Sequence, residues 1–134
     1  TRLLVPANST MNRIVLNGQE MERSAWREEE VVGKQSVGVL VNVPIRSSAV
    51  LEYEYQVPIA PLEATDNDFR PDHYVYTLFE QKQSGTANDE VMHEIVVASG
   101  DVVTVAPEPE IEGRSLRFMS DRETHQFMAV EVVQ

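Results

Sequence analysis

"AVLEYEYQVP", residues 49–58, is the stretch whose reading decides the fold. Apolar and polar residues alternate along it: Leu51, Tyr53, Tyr55 and Val57 fall on one side, Glu52, Glu54 and Gln56 on the other. A period of two belongs to the β-strand, in which successive side chains point to opposite faces. The stretch therefore predicts a half-buried strand with its aromatic side inward.

The same signal recurs in both directions from it. On the N-terminal side, "RLLVP" ends at Pro6, and Ile14 and Leu16 precede Asn17-Gly18, the strongest short hairpin signal. Two further runs flank Gly33-Lys34, and the second sets Val37, Val39, Val41 and Val43 on one face and Gly38, Leu40 and Asn42 on the other. On the C-terminal side, Tyr74, Tyr76 and Leu78 alternate with Val75, Thr77 and Phe79, and "EVMHEIVVA" follows a Ser84-Gly85 turn as the expected hairpin partner. Ser99-Gly100-Asp101 turns into "VVTVAP", a Pro/Glu-rich connector "APEPEIEG" precedes "RSLRFMS", and "FMAVEVV" closes the chain.

Helical periodicity is almost absent. Residues 19–30 have helix-forming composition, but only Met21, Ala25 and Trp26 are apolar and Ser24 interrupts them. Roughly nine strands, joined by turn chemistry and lacking helical crossovers, predict an all-β antiparallel sandwich of immunoglobulin-like or jelly-roll type. The 134 residues fit one domain, 1–134. Because the chain opens in one expected strand and stops in another, it reads as a piece excised from a longer protein.

Charge narrows the partners. A net charge of −11 repels a phosphate backbone, since nucleic-acid binding rests on Lys and Arg neutralising phosphates. Nucleic acid and anionic membrane are thus poor partners. With no cysteine, disulfides, thiolate metal sites and cysteine nucleophiles are excluded. No apolar run approaches the roughly 20 residues that span a bilayer as a helix.

Candidate chemistry is sparse. His73, His93 and His125 lie in different segments without ligand spacing and read as exposed or edge-strand residues. Asp66, Asp68 and Asp72 cluster in a Pro-punctuated loop, residues 58–73, in the manner of oxygen ligands for calcium. Arg70 and Pro71 stand where a calcium loop wants a ligand and a glycine, so the stretch reads as a solvated acidic loop. Glu28 to Glu30 read as a charged edge that discourages sheet-to-sheet aggregation. Glu52 and Glu54 share one strand face about 7 Å apart by strand rise, a spacing a glycosidase pair tolerates but strand alternation produces constantly. No nucleophile elbow, phosphate loop or dinucleotide fingerprint occurs. The tyrosine pairs read as core, which leaves Trp26, in a polar context, as the aromatic suited to a surface contact.

Lysine is rare: Lys34 and Lys82 are the only two. Both sit at glycine turns, outside the apolar strand face that a lysine–asparagine crosslink requires. "QKQSGT", residues 81–86, reads as a hairpin shoulder, with Gly85 supplying the conformation a tight reversal needs.

Taken in order, "LLVPANSTMNRIVLNGQE", "KQSVG", "VLEYEYQVP", "YTLFEQKQSGT" and "FMSDRETHQFMAVEVV" resemble the C-terminal β-rich region of the bacterial domain-of-unknown-function 4012 family of membrane-anchored surface proteins. Tyr55-Gln56-Val57-Pro58, the "QKQSGT" hairpin and Asp121-Arg122 occupy that family's marker positions, with Ser84 where proline is usual. The resemblance implies an extracellular, cell-surface module of a membrane-anchored parent, and it implies no activity.

The resulting expectation is a non-catalytic interaction or structural module, with a protein, cell-wall or carbohydrate partner and no cofactor or metal. The alternative is a carbohydrate-binding module using exposed aromatics and the Asp66–Asp72 loop. Trp26, Asp66, Asp68 and Asp72 are the candidate ligand contacts.

Overall fold

The computed structural model describes residues 1–58, 73–80, 90–120 and 125–134. The chain is all-β and antiparallel, with twelve strands among the described residues, and a single 3-10 turn at Arg23–Ala25 replaces any helix over residues 19–30. Its contacts fall into two compact units, Thr1–Pro58 and Ile59–Gln134. Each is a sandwich of two three-stranded sheets around its own core.

In the first unit the strands are β1 (Arg2–Pro6), β2 (Thr10–Leu16), β3 (Gln19–Glu20), β4 (Trp26–Val31), β5 (Lys34–Val39) and β6 (Leu51–Gln56). One sheet has the order β1-β5-β4 and the other β3-β2-β6. Ile14, Trp26, Val37 and Val39 form the buried centre, with Leu3, Met11, Leu51 and Tyr53 packed against it from both sheets. Each such side chain, fully buried, stabilises the fold by roughly 1.5–3 kcal/mol before conformational entropy is set against it.

Two details show how sequence becomes packing. Met11 and Ile14 both point inward although they are an odd number of positions apart, because the register of β2 against β6 shifts between Met11 and Arg13. The extra residue, Asn12, is a bulge that restores the inward parity. The two hairpins of this unit use the same two-residue turn: Asn17-Gly18 has φ of 52° and 77°, and Val32-Gly33 has 48° and 69°. Positive φ at both positions is the turn that matches strand twist, and Asn-Gly suits it far better than Val-Gly.

The valine run ends sooner than alternation predicts. β5 stops at Val39, because β4 begins at Trp26, the partner of Val39, and no strand pairs with the residues beyond it. Val41 still packs on the core, while Leu40 and Ile45 are almost wholly exposed.

The second unit contains β7 (His73–Glu80), β8 (Val91–Val96), β9 (Asp101–Ala106), β10 (Glu110–Glu112), β11 (Ser115–Ser120) and β12 (Gln126–Val133). Its sheets have the orders β7-β12-β9 and β10-β11-β8. Val97, Leu116, Phe118, Met128, Val130 and Val132 make the core, with Leu78, Ile95 and Val105 alongside.

The expected hairpin of β7 with β8 does not form. β7 pairs along its whole length with β12, and β8 pairs with β11. The reason is burial: both strands carry an apolar face, and placing them in facing sheets turns those faces toward each other across the core. β10 likewise emerges within the connector "APEPEIEG", hairpinned to β11 through Gly113-Arg114.

Candidate functional site

On the outer face of β1-β5-β4, register brings together residues far apart in sequence. Arg2 and Arg27 are both direct cross-strand partners of Gly38. Leu4 and Glu29 are both partners of Ser36, and Pro6 and Val31 are both partners of Lys34. Strand pleating puts these three rungs on the same face. The inward positions of the same strands, Leu3, Val37 and Val39, supply the core, so the sandwich fixes which way the arginines point.

Between the arginines lies a groove of about 540 Å³ lined by Arg2, Arg27, Glu29, Ser36, Gly38 and Leu40 among others. Its floor is low because the central strand contributes only a hydroxymethyl group and a hydrogen. Nothing in the fold demands glycine at position 38: its φ is not positive, and an added Cβ would meet only the Arg27 carbonyl oxygen, at 3.9 Å. A glycine in mid-strand weakens a sheet and commonly marks close approach of another group.

Electrostatics set this face apart from the rest of an acidic chain. Arg2, Arg27 and Lys34 oppose a single carboxylate, Glu29, on the face, and none of the three cations forms an ion pair among the described residues. Ser36 is 2% exposed, and its hydroxyl has no hydrogen-bond partner among the described residues.

Several carboxylates elsewhere are engaged. Glu54 accepts from Arg13 Nε at 2.6 Å and from Asn12 Nδ2 at 3.3 Å. Those hydrogen bonds, first Arg13 and then Asn12, with the Arg13 charge, hold its carboxyl below the ordinary glutamate value. A general acid needs the opposite displacement, so Glu54 is not poised for that role. Glu94 is likewise held down, by a hydrogen bond from Ser115 and by the Arg117 charge, against opposing desolvation. Arg117 also reaches Glu112, at 3.1 Å.

The three histidines have separate surroundings. His73 Nδ1 lies 2.6 Å from Glu131 Oε1 within one sheet, and His93 Nε2 lies 2.9 Å from buried Glu80 Oε2 across the two layers. His125 stacks on Phe79 with ring centroids 5.6 Å apart. No group of three His, Asp or Glu is disposed to hold a metal among the described residues.

Trp26 is not the surface aromatic its polar neighbours suggest. It is 8% exposed and belongs to the first core, because β4 turns its first residue inward opposite Val39. Its indole Nε1 donates to Glu28 Oε1 at 3.2 Å, and the Arg23 guanidinium lies 5.1 Å from the ring centroid. The ring face open to a sugar is thereby covered. Tyr53 is inward as expected, its hydroxyl buried without a partner and its phenol pushed up by burial. Asp66, Asp68 and Asp72, and Lys82 with its turn, lie outside the described residues.

Sequence reading singled out none of Arg2, Arg27, Ser36 or Gly38 as site residues. The one available signal was "SVGV", residues 36–39, in which the outward positions of an otherwise valine strand are a serine and a glycine. The convergence of the arginines depends on pairing, which composition does not encode. Comparison with protein-family models, curated proteins and solved structures finds no match to the chain.

Proposed function

We propose that this chain is a non-catalytic extracellular interaction module of a bacterial surface protein, and that it meets its partner with the outer face of β1-β5-β4. The observation that carries the reading is the Arg2–Gly38–Arg27 rung: two guanidiniums without carboxylate partners flanking an open floor, in a chain with twice as many acids as bases. Cations left unpaired where 22 acidic residues are available are placed to meet charge from outside. The cell-surface setting is supported by the resemblance of the strand and turn motifs. The carbohydrate-stacking alternative loses its anchor with Trp26 in the core.

The test is adsorption of fluorescently labelled chain to intact bacterial cells and isolated envelopes. Saturable binding, sharply reduced by Arg27→Glu at unchanged melting temperature, is the expected result. Equal binding by wild type and variant would remove this face as the contact.

A further inference from the structure

The proposed interaction face also carries information about the chemical group it receives, and the following rests on that reading. We infer that the groove over Gly38 is a site for a single tetrahedral oxyanion, a phosphate or sulfate group. The donors approach from three directions. Arg2 and Arg27 stand on opposite flanking strands at the same rung. Adjacent strands are about 4.8 Å apart, so their Cα atoms are roughly 10 Å apart, within the reach of two arginine side chains converging on one group.

The third donor comes from below. Ser36 is on the same outer face as Gly38, two residues earlier in β5, nearly fully buried at 2% exposure, and its hydroxyl is unpartnered among the described residues. That hydroxyl keeps contact with solvent, since among the described residues only the Tyr53 hydroxyl is a sealed side-chain polar atom without a partner, so it is free to donate to an acceptor arriving in the groove it lines. A planar carboxylate presents two oxygens, enough for one guanidinium fork. A tetrahedral group presents oxygens to both sides and downward at once.

Two other residues set the position. Gly38 keeps the floor open, and any side chain there would rise between the arginines. Glu29 lies on the Ser36 rung, on the β4 side, and disfavours an anion there, which directs the ligand toward the Arg2–Gly38–Arg27 rung. Lys34, one rung further on, adds a long-range attraction without reaching the group.

The experiment is a titration of the chain, followed by amide and arginine Nε NMR signals, with inorganic phosphate, sulfate, glycerol phosphate, acetate and chloride at constant ionic strength. Expected are saturable shifts of Arg2, Ser36, Gly38 and Arg27 with the tetrahedral anions, and weaker, non-saturating shifts with acetate and chloride. A stronger response to glycerol phosphate than to sulfate assigns a phosphate ester, and the reverse assigns a sulfate. Arg27→Gln should weaken binding about tenfold, the loss of one charge-assisted contact. Gly38→Ala is the critical variant: the added methyl has room and suits the strand, so the melting temperature should hold or rise while affinity falls. Equal shifts with acetate, or affinity untouched by Gly38→Ala and Arg27→Gln, would overturn the oxyanion site. If Arg27→Glu still abolishes cell binding in that event, the interaction face stands and the oxyanion assignment alone falls.

Discussion

Gly100→Ala should be among the most damaging single-methyl additions in this protein. Gly100 joins β8 to β9 with φ of 85°, and a Cβ there would lie 2.5 Å from the Val133 carbonyl oxygen and 2.7 Å from Val132 Cγ1. Neither neighbour can step aside cheaply. The first is backbone, and the second is a 4% exposed core side chain on β12, which is hydrogen-bonded to strands on both sides. Placing an L-residue in the left-handed region costs about 1–2 kcal/mol, and forcing a group into a packed core adds about 1–3. Together these reach roughly 2–5 kcal/mol, a large part of the ~5–15 kcal/mol that holds a typical domain together. For a unit of this size each kcal/mol moves Tm by about 4–8 °C, so the low end is already a fall of about 8 °C. Circular dichroism melts provide the assay, and Gly113→Ala is the control: it has φ of 61° in the same unit, but open space around its Cβ. It should show the conformational part alone. If the two variants melt together, the close approach of the β8–β9 turn to β12 is wrong.

Other expectations follow from single contacts. Val32→Asn replaces a 97% exposed valine held at φ 48° with the residue that the equivalent turn at Asn17-Gly18 already uses, and should raise stability by about 1 kcal/mol in urea unfolding. Glu54 has its folded value lowered, so its contribution to stability is present above the ordinary glutamate value and is lost as pH falls through the folded one. Arg13→Gln should move the Glu54 titration, followed by carboxyl carbon NMR, back up toward 4.5, and an unmoved titration would show that Arg13 is not the cause. Trp26 emission should be blue-shifted, poorly quenched by acrylamide and indifferent to added sugars. Strong quenching would place the indole in solvent, against its position in the first core.

How much of this was legible beforehand divides along a physical line. Alternation exposes a strand's face, and the Leu51, Tyr53, Tyr55 series was readable because every second residue commits to burial. Turn chemistry is equally local, so Asn17-Gly18 was readable too. Pairing is not local. β7 and β8 are sequence neighbours with compatible apolar faces, and nothing in either stretch distinguishes lying side by side from facing each other across a core. The β2 bulge at Asn12 and the inward turn of Trp26 are likewise set by partners in other strands. The site failed for the same reason. Arg2 and Arg27 are unremarkable surface residues until β5 lies between them and places a glycine at their common rung.

The most direct test of the central claim is arginine footprinting with phenylglyoxal, read by mass spectrometry on the chain free and bound to bacterial envelope fragments. Arg2 and Arg27 should become protected on binding, while Arg46, exposed in the same unit and away from the groove, should react equally in both states. Binding that leaves Arg2 and Arg27 fully reactive would contradict the claim.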